Sequence, residues 1–184
     1  LSYIKTKMRS KKEIATYLRQ KQADSKKIDQ VLEILNRQGY LNENIYAEAF
    51  VHDRMVLTMD GPNKIESDLR KNEIDSQVIE QALSVFNEEI EREKIQSYIQ
   101  KQLRMNKRKS STALKQKMKS DLERLGYHAF LYQSEIAKIT VDDADLYQAE
   151  YQKLYQKLSK KYQGKELEWR IKQKLYQKGF RQEE

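Results

Sequence analysis

The chain has 184 residues, of which 36 are Lys or Arg and 28 are Asp or Glu, and its net charge is +8. Only 38% of the residues are hydrophobic, and the mean hydropathy is −0.96. No apolar run approaches the roughly 20 residues that a membrane-spanning helix needs. The sequence has no cysteine, which excludes disulfides and thiolate metal sites. This composition predicts a cytoplasmic protein without a membrane segment.

The residue usage favours an almost entirely helical protein. One Pro and five Gly occur in the whole chain, and Gln, Lys, Glu, Leu and Arg are abundant. So polar a chain suits a tandem array, in which each unit buries only one face. Disorder is the alternative, but 12 Tyr, 4 Phe and regularly spaced Leu, Ile and Val argue against it.

An internal repeat of about 50 residues runs along the chain. An apolar residue, a second one four positions later and a third one five beyond that recur at offsets of 51, 53 and 53 residues. The four sets are Ile14, Leu18, Ala23; Ile65, Leu69, Ile74; Met118, Leu122, Tyr127; and Ile171, Leu175, Phe180. Positions i and i+4 share one helix face, so the third residue lies just past a helix end.

The first unit, residues 1–41, is predicted to contain three helices. The first carries the segment SYIKTKM, residues 2–8. The second opens at Ser10, because Ser10 followed by Glu13 forms a capping box. The third follows Asp24, whose carboxylate can accept the free N–H groups of a new helix.

The second unit, residues 42–87, repeats this order. Its first helix carries AFVHDRM, residues 49–55, and its second opens at Gly61-Pro62, with Pro at the first helical position. Asp75 stands where Asp24 stands in the first unit and is the predicted N-cap of the third helix.

The third unit, residues 88–141, and a partial fourth unit, residues 142–184, complete the array. Their first helices carry SYIQKQL and EYQKLYQ, and Ser110 or Ser111 caps the second helix of unit three. Gly126 and Gly179 supply helix C-caps, and the fourth unit stops before a third helix. We therefore predict an all-α fold of tandem three-helix repeats in an elongated, curved, solenoid-like array.

No pattern of catalytic or metal-binding residues is recognisable. His52 and His128 stand alone, and no Gly-rich phosphate loop or nucleophile elbow occurs. Acid-rich segments at residues 88–93 and 142–145 resemble metal sites, but solvated acids at helix N-termini explain them better. The sequence predicts a protein that is not an enzyme and has no metal or cofactor.

Two aromatic features have competing interpretations. Tyr147, Tyr151 and Tyr155 are spaced by four residues and could form a base-stacking platform, although core packing of an amphipathic helix is favoured. Trp169, the single tryptophan, is predicted to be a partly buried packing residue between Leu167 and Ile171.

The basic residues are the main functional signal. Residues 94–120 hold nine Lys or Arg and no acid, whereas exposed helices usually mix charge signs. The net charge varies along the chain: it is +6 in residues 1–41, −5 in 42–86, +5 in 87–141 and +2 in 142–184. This alternation suggests a protein partner with nucleic acid nearby. The candidate contacts chosen from charge are Arg9, Lys11, Lys12, Lys107, Arg108, Lys109, Lys115, Lys117 and Lys119.

The segment from Gly39 to Ile74 resembles the signature segment of the RecX family, the bacterial regulators of RecA recombinase. The matching features, in order, are Gly39-Tyr40-Leu41, Tyr46-Ala47, Arg54, Gly61-Pro62 and Leu69 to Ile74, and MRSKKEIATYL at 8–18 resembles a further family element. Two departures occur. Asn42-Glu43-Asn44 replaces an Asp-containing turn, and Glu73 replaces a Gly, so this helix end must close without its left-handed glycine.

The resemblance implies a non-enzymatic modulator that binds along the RecA–DNA filament and restrains RecA's ATPase, strand-exchange and co-protease activities. It adds Arg54 and Arg70 to the candidate contacts, and we expect a monomer that also touches single- or double-stranded DNA weakly. Two alternatives stay open: a helical-repeat module that binds DNA or RNA directly through its basic surface, and a protein-interaction scaffold whose basic residues are only solvated.

Overall fold

The computed structural model describes residues 2–5 and 7–181, and these contain eleven α-helices and no β-strand. The all-α fold of tandem three-helix repeats is confirmed. The helices are α1 (Ser2–Lys5), α2 (Lys11–Gln20), α3 (Ser25–Arg37), α4 (Glu43–Leu57), α5 (Pro62–Lys71), α6 (Ser76–Leu83), α7 (Glu88–Met105), α8 (Ser111–Leu125), α9 (Ala129–Ala137), α10 (Ala144–Leu158) and α11 (Gly164–Gln177).

The chain divides into two compact units. The first holds residues 1–91 together with 125–128, and the second holds residues 92–124 and 129–184. The repeat borders at 41/42, 87/88 and 141/142 stay a prediction.

The predicted helix starts are confirmed by their cap geometry. Ser10 and Glu13 form the complete capping box, and the Ser10 hydroxyl accepts a hydrogen bond from the Glu13 backbone N–H at 3.0 Å. Asp24 and Asp75 accept N–H groups of α3 and α6 at 2.8 Å. Pro62 is the first residue of α5. Local sequence therefore sets where these helices begin.

The apolar spacing that defines the repeat reflects a helix-ending motif. After α5, the N–H of Ile74 donates to the carbonyl of Leu69 at 3.3 Å, and the N–H of Glu73 donates to that of Arg70 at 2.9 Å. This is a Schellman motif, which brings the residue after the left-handed one against the last turn of the helix. Equivalent pairs end α2 and α11. The two apolar residues that are five positions apart, such as Leu69 and Ile74, therefore come together at these helix ends.

The residue immediately before the third apolar residue of each set adopts the left-handed conformation in all four repeats. The φ angles are 62° at Gln22, 59° at Glu73, 84° at Gly126 and 82° at Gly179. The helix end at Glu73, which lacks the family's glycine, therefore closes with the same geometry. For a residue with a Cβ, this conformation costs roughly 1–2 kcal/mol of conformational energy.

We expect Gln22→Gly and Glu73→Gly each to raise the free energy of unfolding by about 0.5–1 kcal/mol. Glycine relieves the left-handed strain, and part of the gain is lost to the greater entropy of the unfolded chain. Urea unfolding of each variant measures this. Gln77→Gly, in the first turn of α6, is the control and should destabilise the protein; a loss of stability in all three variants would contradict the interpretation.

A second repeated feature joins the start of one helix to the end of another. The N–H groups of Gly61 and Asn63 donate to the carbonyls of Leu125 and Gly126 at 2.7 and 3.0 Å. In the second compact unit, the Ser110 hydroxyl donates to the carbonyl of Lys178 at 2.8 Å. The N-terminus of one helix thus contacts the C-terminus of another. Donor groups at the first helix end bond to backbone carbonyls that the second helix leaves without a partner.

The core is built from the repeated apolar positions. Ten of the twelve residues in the four sets are buried, and the two half-buried ones, Leu18 and Ala23, belong to the first repeat. In the second compact unit Tyr147 and Tyr151 pack against the core cluster, as the packing interpretation predicts, whereas Tyr155 is exposed. The prediction for Trp169 is wrong, because its side chain is 59% exposed.

Candidate interaction surface

The turn between α7 and α8 presents three basic side chains on a fixed backbone. Lys107, Arg108 and Lys109 are exposed. The turn is held at one end by Asn106, whose side-chain amide donates to the carbonyl of Gln102 at 3.0 Å, and at the other by Ser110, whose hydroxyl accepts the N–H of Ala113 at 3.3 Å. We call Lys107–Lys109 the basic ridge.

The side chains of the basic ridge differ from many other cations of the described chain in their lack of a paired acid. None of its three side chains forms an ion pair or hydrogen bond with another residue that the structure describes. Three adjacent unpaired cations on an anchored turn create a local positive potential that attracts anionic partners. A partner would not have to break an existing pair in order to bind there.

The three candidate lysines of α8 separate into two groups. Lys115 and Lys119 lie one turn apart on the same face, with Lys119 exposed and Lys115 half-buried. Lys117 points elsewhere: its ammonium contacts Gln102 at 3.1 Å and forms an ion pair with Asp121. Hydrogen bonds from Lys117 and Tyr98 lower the pKa of Asp121 to about 2. Lys117 is therefore used within the fold.

The basic residues at the start of α2 differ from the ridge because each has an acidic partner. Arg9 pairs with Glu13 at 3.2 Å and stacks over the ring of Tyr3 at 4.3 Å. Lys11 pairs with Glu43 at 2.8 Å, and Lys12 pairs with Glu73 at 3.0 Å. The pairs of Lys11 and Lys12 are solvent-exposed and weak.

The two arginines named by the family resemblance have different surroundings. Arg54 reaches Asp60 at 2.7 Å and Asp68 at 3.2 Å and lies 5.1 Å from the ring of Phe50. Arg70 is exposed, and its ion-pair partner among the described residues is Glu66, one turn back on α5, at 2.7 Å. Arg54 is a structural clamp, whereas Arg70 is accessible to a partner.

Asp60 is the buried centre of the Arg54 network. Its side chain is 6% exposed and also forms an ion pair with Lys64. Burial alone would raise the pKa of Asp60, but Lys64 and Arg54 together hold it below its ordinary value. The carboxylate is therefore charged at neutral pH and depends on these two cations.

Two carboxylates have roles that the sequence interpretation missed. Glu91, assigned to a solvated acidic helix start, is buried and accepts hydrogen bonds from the backbone N–H of His128 at 2.7 Å and, at 2.8 Å, contacts its Nδ1. Glu135 is buried between Arg92, at 2.7 Å, and Lys138, at 2.6 Å. Burial of these carboxylates depends on partners that are distant in sequence: His128 lies 37 positions from Glu91, and Arg92 lies 43 positions from Glu135.

A group of exposed apolar residues was also not anticipated. At the end of α4, Val56 and Leu57 are 66% and 76% exposed. Leu57 lines an open groove of about 570 Å³ together with Met8 and Phe50. An apolar cluster that stays exposed beside charged residues is typical of a protein interaction surface.

Neither a metal site nor a membrane-spanning helix is recognisable in the described part of the chain. Among residues 2–5 and 7–181, no three His, Asp or Glu side chains are grouped so that they could hold a metal ion. No helix there combines the length and the apolar character that crossing a membrane requires. What the described residues present is a set of charged and apolar surfaces on a helical scaffold.

The fold defines a class: a tandem three-helix-repeat protein, here with exposed basic and apolar surfaces. Residues 42–83 match the family model described as the second three-helix domain of RecX. A protein named "Regulatory protein RecX" from Halalkalibacterium halodurans is 32% identical over 98% of this chain and 70% of its own length. One of the same name from Streptococcus agalactiae is 33% identical over 100% and 72%. The chain belongs to the RecX family of regulatory proteins.

Solved structures agree with this assignment. The crystal structure of RecX from Lactobacillus salivarius superposes with a TM-score of 0.64 and 25% identity, covering 76% of this chain and 92% of that one. A second crystal structure, of "regulatory protein RecX", has a TM-score of 0.65 at 23% identity and supports the fold. That match covers 72% of this chain and slightly less than two thirds, 65%, of the other.

Proposed function

We propose that this chain binds RecA and the RecA–DNA filament and restrains the ATPase, strand-exchange and co-protease activities of RecA. It would act as a monomeric, non-enzymatic regulator in the cytoplasm. The observation that carries the proposal is its membership of a family whose relatives, aligned over almost the whole chain, are named regulatory proteins. The name RecX and the surfaces described above are consistent with this partner.

The structure supports a protein partner through two kinds of surface. The basic ridge and Arg70 offer cations that an acidic partner surface can approach. The exposed end of α4, with Val56 and Leu57, offers apolar area whose burial favours a complex. Several modest contacts of this kind on one chain add up to a higher overall affinity for a repeating filament.

We expect the chain to inhibit RecA ATPase on single-stranded DNA when added in stoichiometric amounts. Replacing Lys107, Arg108 and Lys109 together by Glu should raise the half-inhibitory concentration roughly tenfold, because the ridge would then repel an anionic surface. The matched control replaces Lys160, Lys161 and Lys165 by Glu. These side chains are also exposed, and the change in net charge is identical.

Two results would contradict this proposal. If the unmodified chain leaves RecA ATPase unchanged at stoichiometric amounts, the RecA-directed function is wrong. If the ridge variant and the control variant weaken inhibition equally, net charge matters and the ridge is not a contact surface.

A second candidate function is direct binding of DNA or RNA through the basic surface, of which the basic ridge is one part. The observation that favours it is the lack of described ion-pair partners for the three ridge cations, since phosphates compete poorly with existing carboxylate partners. Binding without RecA should weaken about 10³-fold between 50 and 200 mM salt if about six phosphates are contacted. If the ridge variant binds both RecA and nucleic acid normally, the chain is better described as a scaffold with a solvated basic surface.

A further inference from the structure

Helix α11 exposes two large aromatic side chains on one face. Trp169 is 59% exposed and Tyr176 is 61% exposed. They lie seven residues apart, so they are separated by about 10 Å, two helical turns, along the same side of the helix. Lys172 lies between them on this face. The core of the unit does not use these rings, although both residue types are usually packed or partnered.

These rings stand beside a rigid apolar floor. Leu175 and Phe180 are buried in the core of the second compact unit. The Tyr147 ring packs edge-on against Phe180, with 5.9 Å between the ring centroids. Together these residues line an open groove of about 520 Å³. We call this groove, with Trp169 and Tyr176 on its rim, the aromatic groove.

The charges around the aromatic groove are positive. Lys172 and Arg181 line it, and the Arg181 guanidinium lies 5.2 Å from the centroid of the Tyr176 ring. No Asp or Glu is found among the described residues that line it. Asp142 and Asp143 line a neighbouring groove that shares Tyr147 and Arg181. Their carboxylates would repel phosphates, so an anionic ligand is confined to the α11 side.

We propose that the aromatic groove is a base-stacking subsite for single-stranded nucleic acid. Every base offers a flat face to Trp169 and Tyr176, and Lys172 and Arg181 are placed to contact the adjoining phosphates. The inference rests on the second function proposed above, direct nucleic-acid binding, and adds to it a ligand class and a site distinct from the basic ridge. The spacing of about 10 Å between the two rings limits the subsite to a few nucleotides.

The single tryptophan allows a direct test. A (dT)15 strand is added to the whole chain in low salt without RecA while Trp169 fluorescence is followed. Stacking of thymine on Trp169 should quench its emission. An abasic strand of the same length keeps the phosphates but lacks bases, and a blunt duplex keeps its bases paired. Both should bind without comparable quenching.

Variants separate the role of the ring from that of charge. Trp169→Ala should weaken binding of (dT)15 about tenfold, in the range measured for loss of one stacked base. Trp169→Phe, which keeps a flat ring, should stay within about twofold of the unmodified chain. Tyr40→Ala removes an aromatic side chain that is 58% exposed and should have no effect. Circular dichroism confirms that each variant is folded.

The possible failures differ from one another. If (dT)15 binds without quenching and Trp169→Ala binds normally, the subsite is wrong while binding through the basic ridge survives. If no strand binds at all, both the base-stacking subsite and direct nucleic-acid binding are wrong. If RecA without DNA quenches Trp169 and (dT)15 does not, the groove docks a protein and the proposal is overturned.

Discussion

Replacing Gly126 by alanine is expected to lower the free energy of unfolding by about 3 kcal/mol or more. A Cβ on Gly126 would lie 2.5 Å from the backbone nitrogen of Lys64, and backbone cannot move aside as a flexible side chain does. This overpacking costs roughly 1–3 kcal/mol. The left-handed φ of 84° at this residue adds roughly 1–2 kcal/mol. Urea denaturation measures the sum.

Gly39 provides the matched control for this substitution. It has a similar φ of 77°, but a Cβ there would meet no atom within 4 Å. Gly39→Ala should therefore lower the free energy of unfolding only by the cost of the left-handed conformation, roughly 1 kcal/mol. Equal losses in the two variants would show that the contact between the start of α5 and the end of α8 contributes nothing.

Removing Arg54 is expected to have the second large effect. Arg54→Ala leaves the buried carboxylate of Asp60 with Lys64 as its partner, and it leaves Asp68 paired with the exposed Lys71. Breaking a buried ion pair from one side costs about 3–5 kcal/mol, and the presence of Lys64 reduces our expectation to about 2–3 kcal/mol. Arg70→Ala, which breaks an exposed pair, should cost less than about 1 kcal/mol.

The pH dependence of this loss follows from Asp60. Its pKa is lowered in the folded state, so its ion pairs stabilise the protein above the unfolded pKa near 3.8. That contribution disappears as the pH falls through the lower folded value. The difference in unfolding free energy between Arg54→Ala and the unmodified chain should be large at pH 7 and shrink toward pH 3. A difference that is constant with pH would show that Arg54 acts by packing alone.

A double-mutant cycle with Asp60→Asn tests the pair itself. If Arg54 stabilises the fold mainly through Asp60, Arg54→Ala should cost much less in the Asp60→Asn background. The functional consequence is specific. If the chain inhibits RecA as proposed, Arg54→Ala should weaken inhibition through loss of stability, whereas Arg70→Ala should weaken it with little change in stability.

The eleven candidate contact residues fall into two groups because of their surroundings. Arg54 and Lys117 are committed to carboxylates within the fold, and Arg9 is held by Glu13 and Tyr3. The members that stay available are Arg70, Lys107, Arg108, Lys109, Lys115 and Lys119, together with Lys11 and Lys12 in weak exposed pairs. Neither charge counting, which supplied nine of the eleven, nor the family resemblance, which supplied Arg54 and Arg70, separates these two groups. A partner can use only cations that are not already committed.

The sequence by itself determined the helices, their caps and the repeat. These features act through neighbours within about one helical turn, so they can be predicted from the sequence. They are the capping pair Ser10 and Glu13, the helix-starting Pro62 and the apolar residues five positions apart. Only the tertiary structure decided that Glu91 is buried against His128, that Glu135 is buried against Arg92 and that Trp169 remains exposed. It also showed that Glu73 adopts the left-handed geometry in place of glycine. The reason is physical: local hydrogen bonds depend on adjacent residues, whereas burial and charge compensation depend on which distant helices meet.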